Sequence, residues 1–78
     1  MNNNEYNRLL ELKDLINNNS ASKTDKQEYM EILFRNGNIS EQQYNKFLSD
    51  QNSDDIVKAA LTIGGVVLAT WLISKLFD

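Results

Sequence analysis

The sequence predicts an all-α protein in which three short amphipathic helices, at about residues 5–17, 25–36 and 41–50, precede one long apolar transmembrane helix at about residues 54–77. Three observations point there. The 78 residues contain no proline, the residue that most readily breaks a helix interior. Apolar side chains recur at helical spacing from Tyr6 to Leu48. From Ile56 to Phe77 the chain is almost wholly apolar.

The first helix rests on Tyr6, Leu9, Leu10, Leu12, Leu15 and Ile16, which leave Arg8, Glu11, Lys13 and Asp14 off that face. Asn17-Asn18-Asn19-Ser20 ends it, because these side chains bond their own backbone in turns. For the second helix, Thr24 is the expected cap, with Gln27 closing a capping box. Tyr29, Met30, Ile32, Leu33 and Phe34 form its apolar side, and Gly37 stands where a left-handed residue stops a helix. The third helix opens on a capping box of Ser40 and Gln43. Ile39 and Tyr44 have the spacing of a hydrophobic staple, and Tyr44, Phe47 and Leu48 give the buried face. In the last helix Ser53 is the expected cap, and Asp54 and Asp55 sit where the positive end of the helix dipole favours anions.

Two regions follow: an acidic helical head over 1–52 and a single-pass anchor over 53–78. Net charge is -3, and it is unevenly spread. Through Asp55 there are six Lys/Arg against ten Asp/Glu; beyond it only Lys58, Lys75 and Asp78 are charged. Ile56 to Phe77 spans roughly 33 Å as a helix, against a hydrocarbon core of roughly 30 Å. The uncharged part, Ala59 to Ser74, spans only about 24 Å. Lys58 and Lys75 are therefore expected to snorkel to the two surfaces, with Trp71 and Phe77 in the interfacial belt at one end. Ala60 with Gly64, and Gly65 with Ala69, are small residues four apart, a spacing that lets helices approach closely in lipid. Lys46 and Lys58 on the near side, against Lys75 on the far side, place the head in the cytoplasm. The start, Met1-Asn2-Asn3-Asn4, has neither the basic nor the apolar region of a signal peptide. The expected layout is tail-anchored.

The segment Tyr29 to Leu48 reads as a leucine-bearing helix, a glycine, an isoleucine, a Ser/Thr cap, an acidic residue and an aromatic. Leu33, Gly37, Ile39, Ser40, Glu41, Tyr44 and Phe47 hold these places, with Gln43 closing the cap. This hairpin resembles the SHOCT domains. The resemblance implies an interaction or oligomerisation module of bacterial proteins, often near membrane segments, and it supplies no catalytic residue. In that family the hairpin usually ends the chain; here it precedes the anchor.

The residues for chemistry are sparse. There is no histidine and no cysteine, which removes the commonest general base, the commonest zinc ligands and any disulfide. Asp54 and Asp55 read as dipole partners rather than an acid/base pair, which needs opposed environments in a cleft. Asp25, Glu28 and Glu31 read as a solvated face. No basic stripe is available for phosphates. The expectation is a protein with no catalytic residue, metal or cofactor, and with neither nucleic acid nor a small-molecule substrate as partner. Its partners are a lipid bilayer and a protein or further copies of itself.

The leading functional expectation is a membrane-anchored structural or interaction protein whose head docks partners at the membrane surface. Small size and an asparagine-rich composition fit a bacterial or phage product. One concrete form is a minor virion protein tying an internal bilayer to a protein shell. Two rival readings are a holin- or toxin-like protein that permeabilises membranes, and a soluble subunit that buries its apolar helix in an assembly.

Overall fold

Residues 1–50 and 54–76 are described by the structure, a computed structural model. They form four helices, α1 (Asn3–Asn17), α2 (Lys23–Arg35), α3 (Glu41–Ser49) and α4 (Asp54–Leu76). The all-helical class and the order of three short helices and one long apolar one are as the sequence predicts. The expected boundary between head and anchor, and the expected cap Ser53, lie outside the described residues, as does Phe77.

Each short helix begins where a side chain takes up its free N–H groups. Asn2 Oδ1 accepts from the Glu5 N–H at 2.8 Å, so α1 starts slightly before the expected position. At α2 the capping box is Ser22 with Asp25, not Thr24 with Gln27. The Asp25 N–H donates to Ser22 Oγ at 3.1 Å and the Ser22 N–H donates to the Asp25 carboxylate at 3.0 Å. Asp25 satisfies the same reciprocal geometry as a glutamine and adds a negative charge at the helix dipole, so the earlier start prevails. Thr24 lies exposed in the first turn. At α3 the expected box is present: Gln43 N–H to Ser40 Oγ at 3.1 Å, and Ser40 N–H to Gln43 Oε1 at 2.8 Å.

Helices α1 and α2 end in the same way. Asn19 (φ 56°) and Gly37 (φ 72°) adopt the left-handed conformation. The next N–H reaches back in each case, Ser20 to the Leu15 carbonyl and Asn38 to the Leu33 carbonyl, both at 2.8 Å. This Schellman arrangement satisfies carbonyls that the helix leaves free. Glycine takes the second position without a Cβ penalty; asparagine is one of the few other residues that tolerate the first.

Helices α1 and α2 pack on each other and on α4, and α3 packs on α2. Leu9, Leu12 and Ile16 of α1, Tyr29, Met30, Ile32 and Leu33 of α2, Phe47 of α3 and Val57, Ala60 and Leu68 of α4 share one core. Full burial of a leucine such as Leu9 or Leu33 stabilises by about 1.5–3 kcal/mol. Phe34 and Tyr44 stack at 4.6 Å between centroids, joining α2 to α3. Leu48 stays exposed although the periodicity assigned it to the buried face. The short α3 presents one edge to the core, and Phe47 fills that contact.

Arg8 fastens α1 to α2. Its guanidinium meets the Glu28 carboxylate with two bonds, 2.6 and 3.0 Å, and reaches Glu11 at 2.8 Å and Asp25 at 3.5 Å. The carboxylates read as a solvated face thus include two, Asp25 and Glu28, that converge on one cation. The Arg8 hydrogen bond holds the Glu28 carboxyl below the usual range. The backbone N–H of Ser22 does the same for Asp25.

Candidate functional site at the apolar helix

Helix α4 has 23 residues, Asp54 to Leu76, and is long and apolar enough to cross a membrane by length and composition. At about 1.5 Å per residue it is about 34 Å long. Its two faces meet different surroundings.

The inner face carries Val57, Ala60, Gly64 and Leu68, buried at spacings of three and four residues. Tyr29 of α2 stands against it. The Tyr29 hydroxyl donates to the Ala60 carbonyl at 2.9 Å, and the ring is fully buried. Gly64 makes room for it: a Cβ at that position would lie 1.8 Å from the hydroxyl oxygen and 2.7 Å from Cζ. Burial pushes the Tyr29 phenol upward from its ordinary value, opposed by a hydrogen bond with the Gly64 backbone. Neutral and hydrogen-bonded, the hydroxyl enters the core without an unsatisfied group.

Further contacts flank this one. Near the start of α4, Lys26 Nζ pairs with the Asp54 carboxylate at 2.6 Å. Midway, a Cβ on Gly65 would lie 3.5 Å from Lys13 Cε of α1. Near the far end, the Trp71 ring stacks on Tyr6 at 4.3 Å between centroids, and its Nε1–H donates to the Met1 carbonyl at 2.9 Å. Lys75 Nζ lies 5.2 Å from the centroid of the Trp71 ring. The contacts run in opposite order along the two helices, so α1 is antiparallel to α4.

The outer face is bare. Val66, Leu72, Ile73 and Leu76 are 63%, 49%, 54% and 74% exposed, and Lys58 and Ala69 are exposed beside them. These side chains form an uncovered apolar strip along α4.

The expected residues therefore divide. Of the four small residues, Ala60 and Gly64 are buried under Tyr29, Gly65 is half-buried beside Lys13, and Ala69 faces outward. Of the interfacial residues, Lys58 and Lys75 are exposed at opposite ends of α4, and Trp71 is engaged by Tyr6. In the hairpin, Leu33, Ile39 and Phe47 are buried, Gly37 makes the left-handed turn, Ser40 and Gln43 cap, Glu41 is exposed and Tyr44 is half-buried. Among the described residues no three of His, Cys, Asp and Glu come together to hold a metal ion. An open groove of about 380 Å³ follows α4 past Val66, Val67, Thr70 and Trp71 to Asn36 and Asn38. Tyr6, Lys26 and Tyr29 were not singled out for contact with α4 by the sequence. The small-residue pair Ala60/Gly64 was the available signal that something approaches there. No known protein family, curated protein or solved structure matches this chain.

Proposed function

We propose that this chain is a non-enzymatic membrane protein of structural or interaction type, held in a bilayer by α4, with the acidic head docking protein partners or further copies of itself at the surface. The observation that carries the reading is the bare outer face of α4. Only 22% of its most apolar window is buried, whereas the core helix of a soluble protein is covered on most sides. Lys58 and Lys75 stand exposed near the two ends, at the right separation to snorkel. In this reading the span is single-pass with the head in the cytoplasm. The α2–α3 hairpin, with its SHOCT-like pattern, is the docking module, and a minor protein linking a virion membrane to its shell is one form of the role.

Burial of Val57, Ala60, Gly64 and Leu68 against the head favours a second reading, a soluble subunit whose outer face is covered by an assembly. Membrane fractionation separates the two. Carbonate-resistant pelleting that disappears on truncation after Asp55 supports the anchor; recovery of the full chain in a high-molecular-weight soluble fraction supports the assembly. Retention of membrane potential during induced expression distinguishes anchoring from permeabilisation.

A further inference from the structure

We infer that the head sheathes α4 and must release it before the helix can cross a bilayer, so that the contacts of Tyr29, Tyr6 and Lys26 form a latch on membrane insertion. This rests on the reading of α4 as a span and adds its regulation.

The argument is geometric. The head accompanies α4 from Asp54, held by Lys26, to Trp71, held by Tyr6 and Met1. That is about 26 Å of helix, most of a hydrocarbon core of roughly 30 Å. A spanning α4 with the head in place would draw α1 and part of α2 into lipid. Arg8, Glu11, Lys13 and Asp14 of α1 and Glu28 of α2 would go with them, and charged groups in hydrocarbon are strongly disfavoured. The sheathed arrangement and the spanning arrangement therefore exclude each other.

The polar groups of the latch have partners on release: the Tyr29 hydroxyl, the Trp71 Nε1–H and the Lys26 ammonium can each be satisfied by water or lipid headgroups. The face it covers holds Ala60 and Gly64, the small residues that permit close helix approach in lipid. The same groove thus serves either Tyr29 or a neighbouring helix in the membrane. The outer face stays bare throughout, so the closed molecule already presents an apolar strip to a bilayer.

The test uses the full chain, which has no native cysteine. Lys13→Cys and Gly65→Cys are combined, joined by a short, reducible bifunctional maleimide, and added to vesicles of phosphatidylcholine and phosphatidylglycerol. The expected result is a carbonate-resistant fraction reduced roughly tenfold or more while the link is intact, and recovered when it is cleaved. Equal insertion of linked and cleaved protein would overturn the latch while leaving the span reading intact. Failure of both the cleaved protein and the unsubstituted chain to become carbonate-resistant would overturn the span reading, and the latch with it. A second pair of variants needs no link. Gly64→Ala and Gly65→Ala add the same methyl group, but only the first collides with Tyr29; the second makes an ordinary contact with Lys13 Cε. Gly64→Ala is expected to insert several-fold faster than Gly65→Ala; equal rates would count against the latch.

Discussion

Adjacent glycines in α4 are expected to respond to the same substitution with opposite signs. In Gly64→Ala the new Cβ would sit 1.8 Å from the Tyr29 hydroxyl oxygen and 2.7 Å from Cζ, so the ring must move. Overpacking of this kind costs about 1–3 kcal/mol, and loss of the buried hydroxyl bond to the Ala60 carbonyl about 1 kcal/mol more. The gain in helix propensity returns about 1 kcal/mol. The net expectation is destabilisation by about 1–3 kcal/mol, a fall in melting temperature of at least about 4 °C for a chain of this size. In Gly65→Ala the Cβ would meet only Lys13 Cε, at an ordinary 3.5 Å. That variant is expected to gain about 0.5–1 kcal/mol from propensity alone. Thermal unfolding in dilute, detergent-free buffer, followed by far-UV circular dichroism, reads both. Replacing Tyr29 by Phe in the Gly64→Ala background removes the closest atom and should recover part of the loss. If Gly64→Ala melts above the unsubstituted protein, as Gly65→Ala is expected to do, the hydroxyl does not occupy that groove and the packing of the head on α4 is wrong.

Ser22→Ala should destabilise by about 1 kcal/mol and Thr24→Ala by less than about 0.5 kcal/mol; denaturant midpoints for the two variants decide which residue caps α2. Gly37→Ala should cost about 1 kcal/mol although nothing lies within 4 Å of its added Cβ, because the φ of 72° disfavours any side chain; Gly37→Asn, measured beside it, should be milder. The Glu28 and Asp25 carboxyls are depressed in the fold, so their contribution is fully present above the ordinary carboxylate range of about pH 4 and is lost as pH falls through their lower folded values. Melting temperature should therefore be flat from about pH 5 to neutrality and fall below about pH 4, with a shallower acid limb in Glu28→Gln; an unchanged limb in that variant would remove Glu28 from the account.

What was legible in the sequence was local. The Ser40–Gln43 box, the stop at Gly37 and the uninterrupted apolar run of α4 are each written within a few residues. The start of α2 is ambiguous in sequence because Ser22, Thr24, Asp25 and Gln27 offer overlapping boxes, and the one adopted adds the Asp25 charge at the helix dipole. The partners of Arg8 were missed because Asp25 and Glu28 lie on a different helix, and a periodicity cannot say which charged faces meet. The inner face of α4 was hidden for a related reason. A helix apolar on every side marks its covered side only through small residues, here Ala60 and Gly64, and Tyr29, 31 residues before Ala60, has no local mark of its destination.

The left-handed reversals at Asn19 and Gly37 also bear on the order in which the chain is made. Both are closed by bonds between near neighbours in sequence, Ser20 to Leu15 and Asn38 to Leu33, and helical structures dominated by such contacts form within about microseconds to milliseconds. Translation proceeds at roughly 5–20 residues per second, so the 23 residues of α4, the last helix to emerge, take on the order of one to several seconds. The turn that positions Tyr29 is therefore set while Gly64 is still unmade. The surface that receives α4 is therefore organised by local contacts before the helix it will cover is complete.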